Sequence, residues 1–177
     1  VPTLYRIHEA PDPKKVEDFE EFIGALGYSL SGPADQLEPR HFQKLVEKIH
    51  GKPEEKPIAM LMLRTMQKAM YDPAPVGHFG LATAHYAHFT SPIRRYPDLV
   101  VHRSLRESRH GISKERRADL TEDLPEMGRH TSGRERRATD AERELVQWKK
   151  VRFMADKVGD EFTGFVTGVS AFGLHIE

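Results

Sequence analysis

Gly77-His78-Phe79-Gly80-Leu81-Ala82-Thr83-Ala84-His85-Tyr86-Ala87-His88-Phe89-Thr90-Ser91-Pro92-Ile93-Arg94-Arg95-Tyr96-Pro97-Asp98 is the stretch on which the reading of this chain turns. It gathers hydroxyls, imidazoles, aromatic rings and paired guanidiniums, with prolines at 92 and 97. Pro92 restricts Ser91 to extended backbone. Thr90 and Ser91 offer hydroxyl donors, and Arg94 and Arg95 offer planar forks that match phosphate oxygens. Pro97 suits the first position of a helix, whose free N–H groups and positive dipole end then face the region that Arg94 reaches. The combination predicts an anion site suited to a phosphate-bearing polymer.

Charge around this stretch is uneven although the 177-residue chain has a formal net charge of zero. Residues 94–117 carry eight Arg or Lys against three acids, whereas residues 1–60 carry eight against eleven. The basic segment sits where a nucleic-acid backbone needs it. At 38% hydrophobic content the chain can bury a core, and its 31% charged content exceeds the ~25% of average domains. No apolar run approaches the ~20 residues that span a bilayer, so no membrane role is expected. The absence of cysteine rules out disulfides and Cys-type zinc sites and is compatible with a cytoplasmic location. Beginning on Val1 and ending on Glu177 within a strand pattern, the sequence reads as a piece of something longer, with no signal peptide visible.

Further out, helices are legible from apolar spacing and boundary residues. Asp12-Pro13 opens the first, with Val16, Phe19, Phe22, Ile23 and Leu26 as its stripe and Gly27 to end it. Pro39 opens a second, with Phe42, Leu45, Val46 and Ile49 inward and Gly51 beyond. Pro57 opens a third that continues to Asp72-Pro73. Alternating Phe79, Leu81, Thr83, Ala87 and Phe89 predict a strand. After Pro97 a helix is expected to bury Leu99, Val100 and Leu105 while Arg103 and Arg106 point elsewhere. Residues 107–131 read as a loop with one short helix. Ser132 and Glu135 have the spacing of a capping box, so a long helix should start there. Ala138, Ala141, Leu145 and Trp148 make its apolar seam until Gly159 breaks it. Residues 161–177 read as two strands around Ser170-Ala171-Phe172-Gly173.

The 77–98 stretch resembles the signature near the end of the catalytic domain in the ribonuclease II and ribonuclease R family. Leu4 to Glu9, Arg137 to Trp148 and Gly164 to His175 resemble ribonuclease R segments as well, so the likeness covers nearly the whole chain. It implies an α+β, mostly helical fold. Residues 1–158 would be the C-terminal part of an RNB-type catalytic domain, and 159–177 the first strands of an OB-fold barrel of the ribosomal S1-like kind. It also implies a cytoplasmic, monomeric, processive 3′-to-5′ exoribonuclease that hydrolyses single-stranded RNA to nucleoside 5′-monophosphates with Mg2+. The metal-binding aspartates are expected before Val1, so the piece alone is expected to be inactive. Carried over residue by residue, Arg94 contacts the scissile phosphate and stabilises the transition state.

Thr90, Ser91, Arg95, Tyr86, His102, Arg103, Glu142 and Phe172 are the candidate RNA contacts. Tyr86 and Phe172 would stack on bases, and Glu142 matches a family acid near the RNA path. Arg95 has an alternative, pairing with an acid, and Asp98 reads as a lone carboxylate. His78, His85 and His88 invite a zinc reading, but 85 and 88 would face opposite sides of a strand. Acid–base catalysis by two histidines remains a rival mechanism. Two other classes stay open: an RNA-binding module without catalysis, and a structural helical domain whose arginines serve a protein partner.

Overall fold

The computed structural model of the chain describes residues 1–33, 36–164 and 166–176. The two strands expected over 161–177 therefore include two positions, 165 and 177, outside the described residues. The chain divides into two compact units, Val1–Arg134 and Glu135–Glu177.

In the first unit, β1 (Tyr5–Ile7) pairs antiparallel with β2 (Met70–Asp72), Arg6 standing opposite Tyr71. Between these strands the chain makes a three-helix excursion: α1 (Pro13–Ala25), α2 (Pro39–Ile49) and α3 (Glu55–Thr65). Asp12 caps α1 as its sequence suggests, its Oδ1 accepting the Lys14 N–H at 2.9 Å. Gly27 and Gly51 have φ of +83° and +75° just past α1 and α2, the left-handed backbone that glycine adopts freely. Val16, Phe19, Ile23, Phe42, Leu45, Ile49 and Ile58 join Leu30 and Leu37 in one buried cluster. Phe22, Leu26 and Val46, expected in the stripes, stay about two-fifths exposed. The third helix begins two residues before Pro57 and ends at Thr65. Met66 is already extended, so the expectation of a helix reaching Asp72 gives way to β2.

The strand expected over 79–89 does not form. Gly77 (φ +92°) and Ala82 (φ +51°) turn the chain, and Phe79–Leu81 is a single 3-10 turn. The segment instead borders β1, with the Arg6 N–H donating to Tyr86 O at 2.8 Å and the His8 N–H to Gly77 O at 3.0 Å. The apolar alternation there is a coincidence of aromatic residues in a folded loop.

The fourth helix, α4 (Tyr96–Ser108), buries Pro97, Asp98, Val100, Val101 and Ser104. Leu105, expected inside, is half exposed, because the buried face is rotated by one residue towards Val101 and Ser104. In place of a loop over 107–131, the chain enters α5 (Lys114–Met154), a 41-residue helix. Leu120, Leu124, Gly128 and Ser132 recur every fourth residue as its buried line, and only two of them are apolar, which is why hydropathy did not reveal it. Leu120 and Leu124 pack with Leu4 and Val100 in a second cluster. Ser132 is therefore not an N-cap but mid-helix and buried, with its Oγ accepting the Tyr71 N–H at 2.8 Å.

This close contact of α5 with β2 has a measurable consequence. A Cβ at Gly128 would lie 2.7 Å from the Tyr71 carbonyl oxygen, a backbone atom that cannot swing away, whereas one at Gly133 meets nothing within 4 Å. In urea denaturation Gly128→Ala should cost about 1–3 kcal/mol. Gly133→Ala should stabilise by up to about 1 kcal/mol through helix propensity. Equal and opposite behaviour to this, or no difference between the two, would remove the packing argument.

The second unit holds the end of α5 and a hairpin of β3 (Val166–Ser170) and β4 (Gly173–Ile176), as the sequence suggests. Leu145 and Trp148, the expected seam, are about half exposed.

Candidate nucleic-acid interface

The loop from Thr90 into α4 is fixed by one buried carboxylate. Asp98 is fully buried, and its Oδ2 accepts both the Ser91 N–H and Arg95 Nη2, each at 2.8 Å. Arg95 Nη2 also reaches Thr90 Oγ1 at 3.3 Å. The Arg94 and Arg95 N–H groups donate to Ser91 O at 3.2 and 3.0 Å, closing a tight turn over Pro92 and Ile93. Asp98, read from the sequence as alone, is thus the centre of the loop. Arg95 takes the acid-pairing alternative. The signal was present as an i, i+3 Arg–Asp pair across a helix start.

The helix starts one residue earlier than expected, at Tyr96, with Pro97 second. Its first-turn acid is Asp98, so the dipole end that was expected to face a ligand meets the chain's own carboxylate. Arg94 is left differently. Its side chain is exposed, and its guanidinium makes no ion pair or hydrogen bond with a described residue. An arginine held by its backbone and unspent at its head is a donor fork available to a phosphate.

His102 lies nearly two turns into α4, and its ring stacks on Phe89 with centroids 4.1 Å apart and planes 2° from parallel. Its Nε2 is 2.9 Å from Phe89 O, and since a carbonyl only accepts, that nitrogen carries the proton. Arg103 beside it is exposed. Tyr86 packs edge-on between His78 (5.2 Å) and His88 (5.7 Å). Thr90, Ser91, Arg94, Arg95 and His102 are therefore brought together, while Tyr86 belongs to the aromatic cluster before them. In the second unit Glu142 is exposed on α5, and Phe172 is fully exposed at the tip of the β3–β4 turn, where Gly173 has φ +140°.

The histidines do not lie on a strand, so the opposite-faces argument for His85 and His88 does not apply. His88 Nδ1 is instead 2.8 Å from the Tyr71 hydroxyl, and His85 lies by the Tyr5 ring. His8 is fully used, Nδ1 accepting the Gly80 N–H at 2.9 Å and Nε2 donating to Gln67 O at 2.7 Å. Among the described residues no three carboxylate or imidazole groups converge as metal ligands.

His78 is held below the usual histidine range, first by burial and then by the neighbouring His8 and Arg6. Its folded-state pKa is depressed, so the unfolded chain binds the proton more readily. The stability it contributes is present above about pH 6.5 and lost as pH falls through the folded value. Melting temperatures of His78→Phe should therefore fall less steeply than those of the parent below about pH 6.5. Parallel curves would discount the effect.

Residues 1–110 match the family model of the RNB domain, and the chain belongs to that family. Among curated relatives, Ribonuclease R of Aquifex aeolicus is 48% identical over 176 residues, covering 99% of this chain and 25% of that protein. Escherichia coli Ribonuclease R is 38% identical over 186 residues, again 99% of this chain and 22% of the relative. The chain thus spans about a quarter of the length of the curated relatives it matches. The apo form of Mycoplasma genitalium RNase R superposes with a TM-score of 0.92 at 27% identity, over 99% of this chain and 28% of that one. The same enzyme has been solved with ribose methylated single-stranded RNA and with double-stranded RNA. Yeast Ssd1, described as a pseudonuclease, superposes at 0.60 over 74% of this chain and 16% of its own, at 28% identity. The mostly helical α+β fold expected from the sequence, an RNB-type C-terminal part followed by strands of OB type, agrees with these likenesses.

Proposed function

We propose that these residues belong to a hydrolytic exoribonuclease that degrades single-stranded RNA from its 3′ end to nucleoside 5′-monophosphates. Arg94 stabilises the charge that develops on the scissile phosphate. The observation that carries the reading is the unspent Arg94 guanidinium, held on a turn that Asp98 and Ser91 pin, in a chain of the RNB family. Arg95 acts here by positioning, whereas His102 and Arg103 continue a polar, basic surface along α4 and Phe172 offers a stacking ring. We assign residues 1–158 to the catalytic domain and 159–177 to the OB-type one. Magnesium is held by carboxylates elsewhere in the full-length protein, and the 177 residues alone do not catalyse.

Digestion of a 3′-blocked and an unblocked single-stranded RNA by the full-length protein tests this. Monophosphates should be released only from the free 3′ end, and a chelator should stop the reaction. Internal cleavage, or cleavage persisting in chelator, would turn the assignment towards two-histidine chemistry. A second reading, RNA binding without catalysis, is favoured by the shared fold of a pseudonuclease. In that case RNA binds and no monophosphate appears.

A further inference from the structure

Beyond the Arg94 turn, the end of α4 and the start of α5 border an open cleft of about 560 Å3 lined by Arg103, Arg106, Glu107, His110, Ser113 and Arg116, among others. Its charge is one-sided. The carboxylate of Glu107 is already held by Arg116, with Nη2 to Oε1 at 3.1 Å and Nε to Oε2 at 3.3 Å. The Ser113 hydroxyl is likewise used, accepting the Arg116 N–H as a helix cap. Arg103 and Arg106 are different. They stand three residues apart on α4, hence on one face, and both are exposed with no ion pair or hydrogen bond to a described residue.

Two unopposed guanidinium forks beside a cleft of ligand-sized volume suit a phosphate-bearing ligand, which accepts paired N–H donors from each fork. Measured along the axis of α4, the cleft is within the reach of a strand that touches Arg94. From the start of α4 to Arg106 is about 15 Å at the helical rise of ~1.5 Å per residue, or roughly four to five stacked nucleotides at ~3.4 Å each.

We propose that this cleft is a second phosphate-binding site, separate from the Arg94 turn, which takes backbone phosphates of the RNA strand. The RNA as source rests on the proposed function; the phosphate chemistry does not.

The test uses the full-length protein in an Arg94→Ala background without divalent ions, so that the first site is blank and no RNA is consumed. Binding of a labelled single-stranded RNA is followed by anisotropy over a range of salt, and binding of inorganic pyrophosphate by calorimetry. Arg103→Ala with Arg106→Ala should lower the slope of log affinity against log salt by about two, and lysine at both positions should restore most of it. Pyrophosphate binding should disappear in the alanine pair and return in the lysine pair. If pyrophosphate binding is lost but the RNA slope stays, the site takes a free phosphate compound and the RNA part is overturned. If neither the background protein nor its parent with Arg94 intact binds RNA but pyrophosphate behaves as stated, the proposed function fails while the phosphate site stands. Unchanged slope and unchanged pyrophosphate binding overturn the site itself.

Discussion

Arg94→Ala in the full-length protein is expected to lower kcat for RNA hydrolysis by about 10²–10³, with a much smaller change in KM. A ground-state phosphodiester carries one negative charge, and the oxygens around phosphorus gain more as the attacking and leaving oxygens share it. A guanidinium fork in place before the reaction stabilises the second state more than the first. Arg95 cannot substitute for its neighbour, because its Nη2 is committed to Asp98 at 2.8 Å. Arg94→Lys keeps the charge but loses the planar fork, so its rate should fall between parent and alanine variant. The exposed Arg94 side chain has no described partner to lose, so the melting temperature should not move. A variant that raises KM while leaving kcat intact would make Arg94 a ground-state binding residue and sink the transition-state role.

How much of this fold the sequence reveals depends on the kind of signal. Helices α1 and α2 announce themselves, since Asp12-Pro13 and Pro39 open them and Gly27 and Gly51 close them around large apolar residues. The hairpin around Phe172 was equally plain. The first half of α5 was not, because its buried line is half Gly128 and Ser132, which pack by closeness and by one hydrogen bond rather than by hydrophobic bulk. Pro125 inside that helix also argues against it on local grounds, and tertiary contact prevails. The loop over 77–89 misled in the opposite way. Its aromatic alternation imitates a strand, while a 3-10 turn and the αL backbone at Ala82 fold it against β1. At the site, the motif singles out Arg94 and Arg95, and the sequence offers Arg95 an acid partner without saying which of the two arginines takes it. The choice is set by which of them meets Asp98 in space.

Arg95→Ala should be the most destabilising change at the loop, by about 3–5 kcal/mol, because it strands a carboxylate that has no exposure to water. Asp98→Asn is a milder loss, about 1–3 kcal/mol. The amide retains an oxygen for the Ser91 N–H, and the Arg95 side chain, 23% exposed, can turn its charge to solvent. The pair is not satisfied at every atom: Asp98 Oδ1 and Arg95 Nε are buried without a hydrogen-bond partner among the described residues. A half-satisfied ion pair is a poor source of stability, so its value lies in the geometry that it imposes on Ser91 and hence on Arg94. The two contributions can be separated. Arg95→Met combined with Asp98→Leu should recover most of the stability lost in Arg95→Ala, since no charge is left buried. Its kcat should nonetheless stay about 10²-fold low, because the Ser91 anchor is gone and a shift of about 1 Å at Arg94 is enough for that. Stability from denaturation and kcat against KM are read on the same samples. Recovery of both in the double variant would reduce the pair to a structural ion pair with no part in positioning.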